Sequence, residues 1–230
     1  MNPKRILGLA IVASALTSSA ALAATGTPER VRGTIASATA DSVTIDTYKD
    51  KPVTIALTGN TKYLKVEKST LNKVEKDSFI GTATKDVGGK KIALEIVIFP
   101  SSMRGAGEGH YAWDKIPDTT VAGHARTKSS MTNGNVSAVS ASVPMVKSKM
   151  TNGNVAASKS EGGVMHLVVT YKGGQQDVLV PSTASIVKFG PGTKALVVKG
   201  GNVFIKATKT DSGLVADAVA VGVGGVKPPM

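Results

Sequence analysis

The sequence predicts an all-β protein that contains two similar units. Short runs alternate apolar and polar residues, as in Val43–Thr47, and this period of two is typical of half-buried strands. Clusters of Gly, Asp, Asn and Lys separate the runs and predict turns. A pattern from the first half of the chain recurs about 123 residues later, which indicates that one structural unit has been duplicated.

Length and composition limit the class further. The 230 residues fit one or two domains, and 41% hydrophobic with 19% charged residues is typical of a globular chain. Cysteine is absent, which excludes disulfides, thiolate metal sites and cysteine nucleophiles. Aromatic residues make up only 4%, which is low for a protein that holds bases or sugars by stacking.

The net charge of +12 comes mainly from Lys residues that are spread evenly along the chain. Nucleic-acid-binding proteins usually concentrate their basic groups, and Lys lacks the planar donor fork with which Arg reads bases. The charge pattern therefore argues against a nucleic-acid partner. It favours a solvated Lys-rich surface, with attraction to anionic envelope polymers as the alternative.

Residues 1–23 have the pattern of a signal peptide. Lys4 and Arg5 precede an apolar stretch over Ile6–Leu16, and Ala21-Leu22-Ala23 has the small side chains that a signal peptidase accepts. We expect cleavage after Ala23 and a periplasmic or secreted mature protein. No later apolar run reaches the roughly 18 residues of a membrane helix, so no membrane span is expected.

The first repeat, residues 24–99, predicts three strands, a short helix-like connection at Lys68–Lys76 and two more strands. This pattern is typical of a small closed barrel of the OB type. Closure removes exposed sheet edges, which matters in a unit of about 70 residues with a small core. A pair of small β-sandwiches is the alternative.

The second repeat, residues 150–230, has matching positions, so the predicted architecture is two tandem OB-like barrels joined by a bridging segment. Its connection at Thr193–Lys199 follows Gly190-Pro191-Gly192, which the first repeat lacks. The matches, at offsets of 123 or 124, join Val43–Lys49 to His166–Lys172, Ile55 and Leu57 to Val178 and Val180, and Ala83–Lys85 to Ala207–Lys209.

The bridging segment, residues 100–149, is rich in Gly, Ser and Asn. Met131–Val136 recurs as Met150–Val155, 19 residues later. Each copy contains Asn-Gly, the strongest short hairpin-turn signal, because both residues tolerate a positive φ. The segment is predicted to be an ordered hairpin connector, and a tandem duplication without a role is the alternative.

One part of the bridge concentrates residues that could bind a ligand. Three glycines lie among them and allow the backbone to approach a ligand closely. In one interpretation they form a pocket with aromatic walls and an anion-binding Arg. In another they are a structural plug, in which the aromatic rings cover a barrel end and the Arg pairs with a carboxylate. The candidate ligand-binding residues are Arg104, Glu108, His110, Tyr111, Trp113 and Asp114.

A metal site and an enzyme active site have weaker support. His110 and Glu108, with Asp114, are the candidate metal ligands, and Met103, Met131, Met145 and Met150 suit Cu(I), but no fixed ligand spacing links them. No Gly-x-Ser-x-Gly elbow, phosphate-binding loop or His-Glu-x-x-His motif is present. We therefore expect no catalytic residues and no cofactor.

The chain resembles a bacterial domain of unknown function that occurs, in two copies, in exported proteobacterial proteins. The resemblance rests on Val31-x-Gly33-x-Ile35, on Phe79-Ile80-Gly81-Thr82-Ala83 and above all on Met103-Arg104-Gly105-x-Gly107-Glu108-Gly109-His110-Tyr111-x-Trp113-Asp114. It implies small OB-like barrels and supplies no catalytic or binding residues. Some similar proteins are labelled metal ABC transporter permeases, a label that this sequence does not support.

The sequence favours a non-enzymatic exported binding or accessory protein of the cell envelope. Its partner would be an anionic envelope component or another protein. The alternatives are a periplasmic metal-handling protein and an OB-type binder of nucleic acid or oligosaccharide.

Overall fold

The computed structural model describes residues 26–48, 51–141 and 164–228 as an all-β structure, as predicted. Helical structure in this part of the chain is limited to 3₁₀ turns at Leu71–Lys73, Ser101–Met103 and Lys194–Leu196, so the helix-like segment Lys68–Lys76 forms a single turn. The strands are β1 (Thr27–Ala38), β2 (Ser42–Thr47), β3 (Val53–Ala56), β4 (Lys62–Lys68), β5 (Phe79–Val87), β6 (Lys90–Ile98), β7 (Gly109–Pro117), β8 (Arg126–Ala141), β9 (Met165–Tyr171), β10 (Gly174–Val180), β11 (Ser185–Pro191), β12 (Asn202–Thr210) and β13 (Gly213–Gly222).

Several predicted features lie outside the described residues. They are the signal peptide, residues 1–23, the second copy of the repeated hexapeptide, Met150–Val155, and the candidate Cu(I) ligands Met145 and Met150. Within the described ranges, no helix is long and apolar enough to cross a membrane.

The strands close two five-stranded barrels, which confirms the predicted barrel class. The first barrel has the cyclic order β1-β2-β3-β13-β12, and the second has the order β8-β9-β10-β6-β5. The parallel pairs are β3–β13 in the first barrel and β10–β6 in the second. The strand order and the single parallel pair are the same in both barrels. Each barrel encloses its own apolar core, around Ile45 and Ile205 in the first and around Ile96 and Val169 in the second.

Each barrel takes strands from both repeats, so the repeats are exchanged rather than tandem. The first barrel combines β1–β3 of the first repeat with β12 and β13 of the second, and the second barrel combines β8–β10 with β5 and β6. The division at residues 24–99, 100–149 and 150–230 does not match this arrangement, because β8 lies in the bridge and supplies a barrel strand. The exchange occurs at β4 and β11, which leave their own barrels and pair with each other, Val66 opposite Phe189.

Equivalent hydrogen bonds relate the two halves by an approximate twofold symmetry. The Ser69 amide donates to the Ile186 carbonyl, and the Gly192 amide donates to the Tyr63 carbonyl. Likewise Asp77 donates to Val136 and Gly200 donates to Ile35. Asp77 and Gly200 have the same left-handed backbone, with φ of 67° and 85°. The predicted duplication is therefore visible in the backbone geometry.

Two of the sequence matches shift by one residue in the structure. Ile45 pairs with Ile35 just before a β-bulge, and Val169 pairs with Val136 just before the equivalent bulge, so Ile45 corresponds to Val169 rather than Val168. Both side chains are fully buried. In the same way, one bulge follows Ala83 and the equivalent bulge follows Lys206. Ala83 therefore corresponds to Lys206 in the structure, whereas the sequence match joined it to Ala207. Thr-Tyr-Lys occurs at residues 47–49 and again at 170–172, and matching these two tripeptides places the sequences one residue out of register. A one-residue slip exchanges the two faces of a strand.

The predicted Asn-Gly turn is wrong for the first copy. Asn133 and Gly134 lie in the middle of β8, and the hairpin turn between β7 and β8 is formed by residues 118–125 instead. Gly134 is needed because a Cβ there would lie 2.2 Å from the Thr170 carbonyl oxygen. This close approach of two strands, and not a turn, explains the glycine.

A third apolar cluster lies between the barrels, over β4 and β11. Its buried members include Val66, Leu94 and Phe189, and the Phe99 ring packs edge-on against Phe189 at 5.4 Å. Tyr111 and Trp113 of β7 pack against the same cluster. The β7–β8 hairpin therefore extends from the second barrel across the junction between the two.

Candidate functional site

The six predicted site residues divide into three groups along the segment 104–114. Arg104 and Glu108 anchor the loop before β7, His110 and Tyr111 contact the second barrel, and Trp113 and Asp114 reach the first barrel. They do not converge on one pocket. Each group has its own partners.

Arg104 and Glu108 hold the loop in place. One Arg104 Nη donates to the side-chain oxygen of Asn135, and the other donates to the Asp77 carbonyl at 2.7 Å. The Glu108 carboxylate accepts from the Lys172 amide at 3.0 Å. The plug interpretation expected Arg104 to pair with Glu108 or Asp114. In the structure Arg104 pairs with neither of them and binds Asn135 and Asp77 instead.

His110 lies against the β9–β10 turn. Its ring stacks on Tyr171 at 6.3 Å, and its Nδ1 shares a hydrogen bond of 2.8 Å with Thr132 Oγ1. Partial burial, and to a lesser degree the charge of Lys91, lowers the pKa of His110 below its ordinary value. Folding therefore favours the neutral form of the imidazole. No group of three or more His, Asp or Glu that could hold a metal ion occurs among the described residues.

Tyr111 belongs to a network that fixes the glycine-rich loop. Asn133 Nδ2 donates to the Gly107 carbonyl at 3.0 Å and to the Tyr111 hydroxyl oxygen at 3.2 Å. A Cβ on Gly81 would lie 2.6 Å from Asn133 Oδ1, so a larger residue at position 81 would displace the Asn133 amide. Burial raises the pKa of Tyr111, with the charge of Arg30 acting in the opposite direction. Tyr111 thus acts as a packing anchor.

Trp113 forms the platform for a guanidinium group from the first barrel. The Arg30 Cζ atom lies 3.9 Å from the centroid of the indole ring, a cation–π distance, and Arg32 Cζ lies 6.0 Å from it. The centroid of the Tyr111 ring lies 5.9 Å from that of the same indole, with the two rings tilted. The indole therefore restricts the positions that Arg30 can adopt.

Asp114 pairs with both arginines of β1. Its carboxylate accepts from Arg32 Nη1 at 2.7 Å and lies 3.6 Å from Arg30 Nη1. Burial lowers the pKa of Arg32, and the hydrogen bond and charge of Asp114 oppose this effect. Nε and Nη2 of Arg32 are buried and have no hydrogen-bond partner within the described part of the chain. Asp114 thus holds two cations at the junction.

These contacts border an open groove of about 450 Å³ beside β1. Its walls come from the first barrel and from the β7–β8 hairpin. Arg126 lies on the hairpin side, and one of its Nη groups donates to the Lys115 carbonyl. The lining residues are Pro28–Arg32, Thr47, Tyr48, Asp114 and Arg126.

Sequence analysis missed the arginines of this groove. Arg30, Arg32 and Arg126 are three of the five arginines of the chain, whereas most of the positive charge is Lys. Arg suits sites in which a cation is stacked on a ring or paired with a carboxylate. The positions of the few arginines, considered apart from the lysines, could therefore have pointed to this groove. That β1 and the hairpin meet in space could not be read from the sequence.

Comparisons of the chain with protein-family models, with curated proteins and with solved structures find no match.

Proposed function

We propose that this chain is a non-enzymatic, exported binding or accessory protein of the cell envelope, and that the groove beside β1 takes an anionic ligand. The observation that carries the proposal is the arrangement of Arg30, stacked on Trp113 and paired with Asp114. A cation that is already held in place loses little conformational entropy when it binds an anion. Its position at an open groove favours a binding role.

The charge of the groove agrees with an anionic ligand. Arg30, Arg32 and Arg126 are set against Glu29 and Asp114, in a chain with a net charge of +12. Asp114 is already engaged by two guanidinium groups, so it contributes little repulsion to an incoming anion. Charge of this kind also steers anions toward the surface.

Titration of the purified mature protein with anionic probes tests the proposal. The probes are poly-L-glutamate, bacterial lipopolysaccharide and a single-stranded oligonucleotide, each at low and moderate salt. We expect the Arg30→Gln, Arg126→Gln double variant to bind an anionic probe about tenfold more weakly than the unmodified protein. Lys90→Gln, which removes an exposed charge from the second barrel, is the matched control and should bind normally.

Equal affinity of the double variant and the control would overturn the proposed site. Binding of the oligonucleotide alone would favour the nucleic-acid alternative instead. Export is tested separately by N-terminal sequencing of the protein recovered from the cell envelope, where the proposal expects the chain to begin at Ala24.

A further inference from the structure

The two barrels differ in the occupancy of one strand edge. In the second barrel, β8 is covered along this edge by β7 over Arg126–Asn133 and by β9 from Asn135 onward. In the first barrel, β2 covers the equivalent edge of β1 only from Gly33 onward. Among the described residues, no strand pairs with the edge of Thr27–Val31 that corresponds to the β7 position.

The register shows that the two edges are equivalent. Gly33 pairs with Val203 and Gly134 pairs with Ile80 at the same position of the two barrels. Arg30 therefore corresponds to Met131, since each lies three residues earlier. Met131 pairs with Tyr111 of β7. An added strand on β1 would place a residue opposite Arg30 as β7 places Tyr111 opposite Met131.

Backbone groups of β1 point toward the open edge. The Tyr48 amide donates to the Arg32 carbonyl at 3.3 Å, so the backbone polar groups of Arg32 face the β2 side. The Ile35 amide donates to the Gly201 carbonyl, so the backbone groups of Ile35 face the β12 side. Because successive residues of a strand direct their polar groups to opposite edges, the N–H and C=O of Arg30 face the groove. Pro28 has the same orientation and no N–H to leave unpaired, a placement typical of a strand edge.

The groove beside β1 follows this edge. It is lined by Pro28–Arg32 of β1, by Thr47 and Tyr48 at the end of β2, and by Asp114 and Arg126 of the β7–β8 hairpin. An incoming extended chain would lie between Tyr48 and the hairpin. Its alternate side chains would face the same side as those of Arg30 and Arg32.

We infer that the open edge of β1, residues Thr27–Val31, is a strand-addition site for an extended acidic segment of a partner protein. The inference rests on the proposed function and specifies its ligand. Main-chain hydrogen bonds to Arg30 would supply affinity, and carboxylates opposite Arg30 and near Arg126 would supply selectivity. The preferred segment carries an acidic residue at every second position.

Charge favours this partner over a second copy of the same chain. Two copies of β1 paired antiparallel would bring the arginines of both edges together, and like charges opposite each other destabilise a strand pair. An acidic strand reverses the sign of that interaction.

Peptide binding to the mature protein, measured by isothermal titration, tests the inference. The probe is an alternating Thr/Glu peptide of about seven residues, which spans the open edge at roughly 3.4 Å per residue. Its partner probe has the same sequence with N-methylated central amides, which keeps the charge but prevents strand pairing. We expect the methylated peptide to bind at least about tenfold more weakly.

A pair of variants at one position separates backbone from charge. Arg30→Gln removes the cation and keeps the edge N–H, whereas Arg30→Pro removes both. We expect Arg30→Pro to bind the unmethylated peptide more weakly than Arg30→Gln does, with both variants folded by circular dichroism. The methylated peptide on the unmodified protein keeps the test valid should the proline variant fail to fold.

The outcomes distinguish the inference from the proposed function. Equal binding of the methylated and unmethylated peptides would overturn strand addition and leave anion binding intact. Failure of every anionic probe would overturn both. Tighter binding of the oligonucleotide at the same groove, or a β1-mediated dimer of the free protein in light scattering, would also overturn the inference.

Discussion

Gly33 and Gly134 occupy equivalent positions in the two barrels, and each lies against a carbonyl oxygen of the neighbouring strand. A Cβ on Gly33 would lie 2.1 Å from the Asp46 oxygen, and one on Gly134 would lie 2.2 Å from the Thr170 oxygen. Backbone atoms form both contacts, so no side-chain movement can relieve them. The close approach lies next to the bulge where each first strand meets its second.

We predict that Gly33→Ala and Gly134→Ala each lower the free energy of unfolding by at least ~2 kcal/mol, because the strands must separate to admit the methyl group. Urea unfolding followed by circular dichroism measures this. Gly59→Ala is the matched control, because a Cβ at Gly59 meets nothing within 4 Å, and it should change stability by less than about 0.5 kcal/mol. Similar values for all three variants would contradict the close-approach argument.

The loop between β7 and β8 depends on a nearly buried ion pair. Lys85 Nζ lies 2.7 Å from Asp118 Oδ2 and donates to Thr120 Oγ1, with only 16% and 10% of the Lys85 and Asp118 side chains exposed. Burial alone would raise the pKa of Asp118, but the hydrogen bonds from Lys85 and Thr120 outweigh it and hold the pKa below its ordinary value. The ionised form is therefore favoured by folding.

Asp118→Asn should lower the free energy of unfolding by about 1–3 kcal/mol at neutral pH. A depressed pKa gives stability that is present above the unfolded value near 4 and is lost as the pH falls through the folded value. The stability difference between the unmodified protein and the variant should therefore shrink below about pH 4. A difference that stays constant from pH 7 to pH 3 would contradict this assignment.

His110 should titrate below the ordinary value of 6.5, because burial and the charge of Lys91 both disfavour the imidazolium ion. Folding then favours the neutral ring, so His110 reduces stability as the pH falls from about 6.5 toward the folded pKa. Lys91→Gln should raise the pKa of His110 without restoring it fully, since burial remains. NMR titration of the His110 ring resonances measures both values.

Lys90→Gln is the control for the His110 experiment. Lys90 adjoins Lys91 and is exposed, and it does not contribute to the shift. An equal effect of the two lysine variants would indicate a general loss of charge instead of a local interaction.

The exchanged strands predict that neither half of the chain folds alone. Residues 24–122 contain β1–β7 but lack β12 and β13 of the first barrel and β8–β10 of the second. We expect this fragment and residues 123–230 to be unfolded separately and to form a stable complex when co-expressed. The break falls before Gly123, an exposed residue with φ of 79° in the β7–β8 turn. Cooperative unfolding of either isolated fragment would contradict the exchange.

Much of the fold was predictable because local sequence patterns indicate it. Alternation at Val43 and Ile45 identified a strand, and the repeat identified two barrels. The partners of each strand were not predictable from the sequence. Because the two repeats are alike, the last strands of either repeat could complete the barrel that the first strands of a given repeat begin. Only the crossing of β4 and β11, with Val66 opposite Phe189, decides between them.

The candidate site was partly predictable for a related reason. The sequence singled out Trp113 and Asp114 because unusual residues cluster around them. Their partners, Arg30 and Arg32, resemble any exposed polar positions of an alternating strand, and about 80 residues separate them from Asp114. Asn133-Gly134 misled because its turn propensity is local, whereas the carbonyl oxygen of Thr170 that requires the glycine lies on another strand.

The pairing of β4 with β11 also orders events during biosynthesis. Strands β1–β3 cannot close the first barrel until β12 and β13, residues 202–222, have been synthesised. Pairing across such sequence separations slows folding, and unfinished strands remain open to wrong partners in the meantime. A chain synthesised from its N-terminus would therefore reach its native state only after β12 and β13 had become available for pairing.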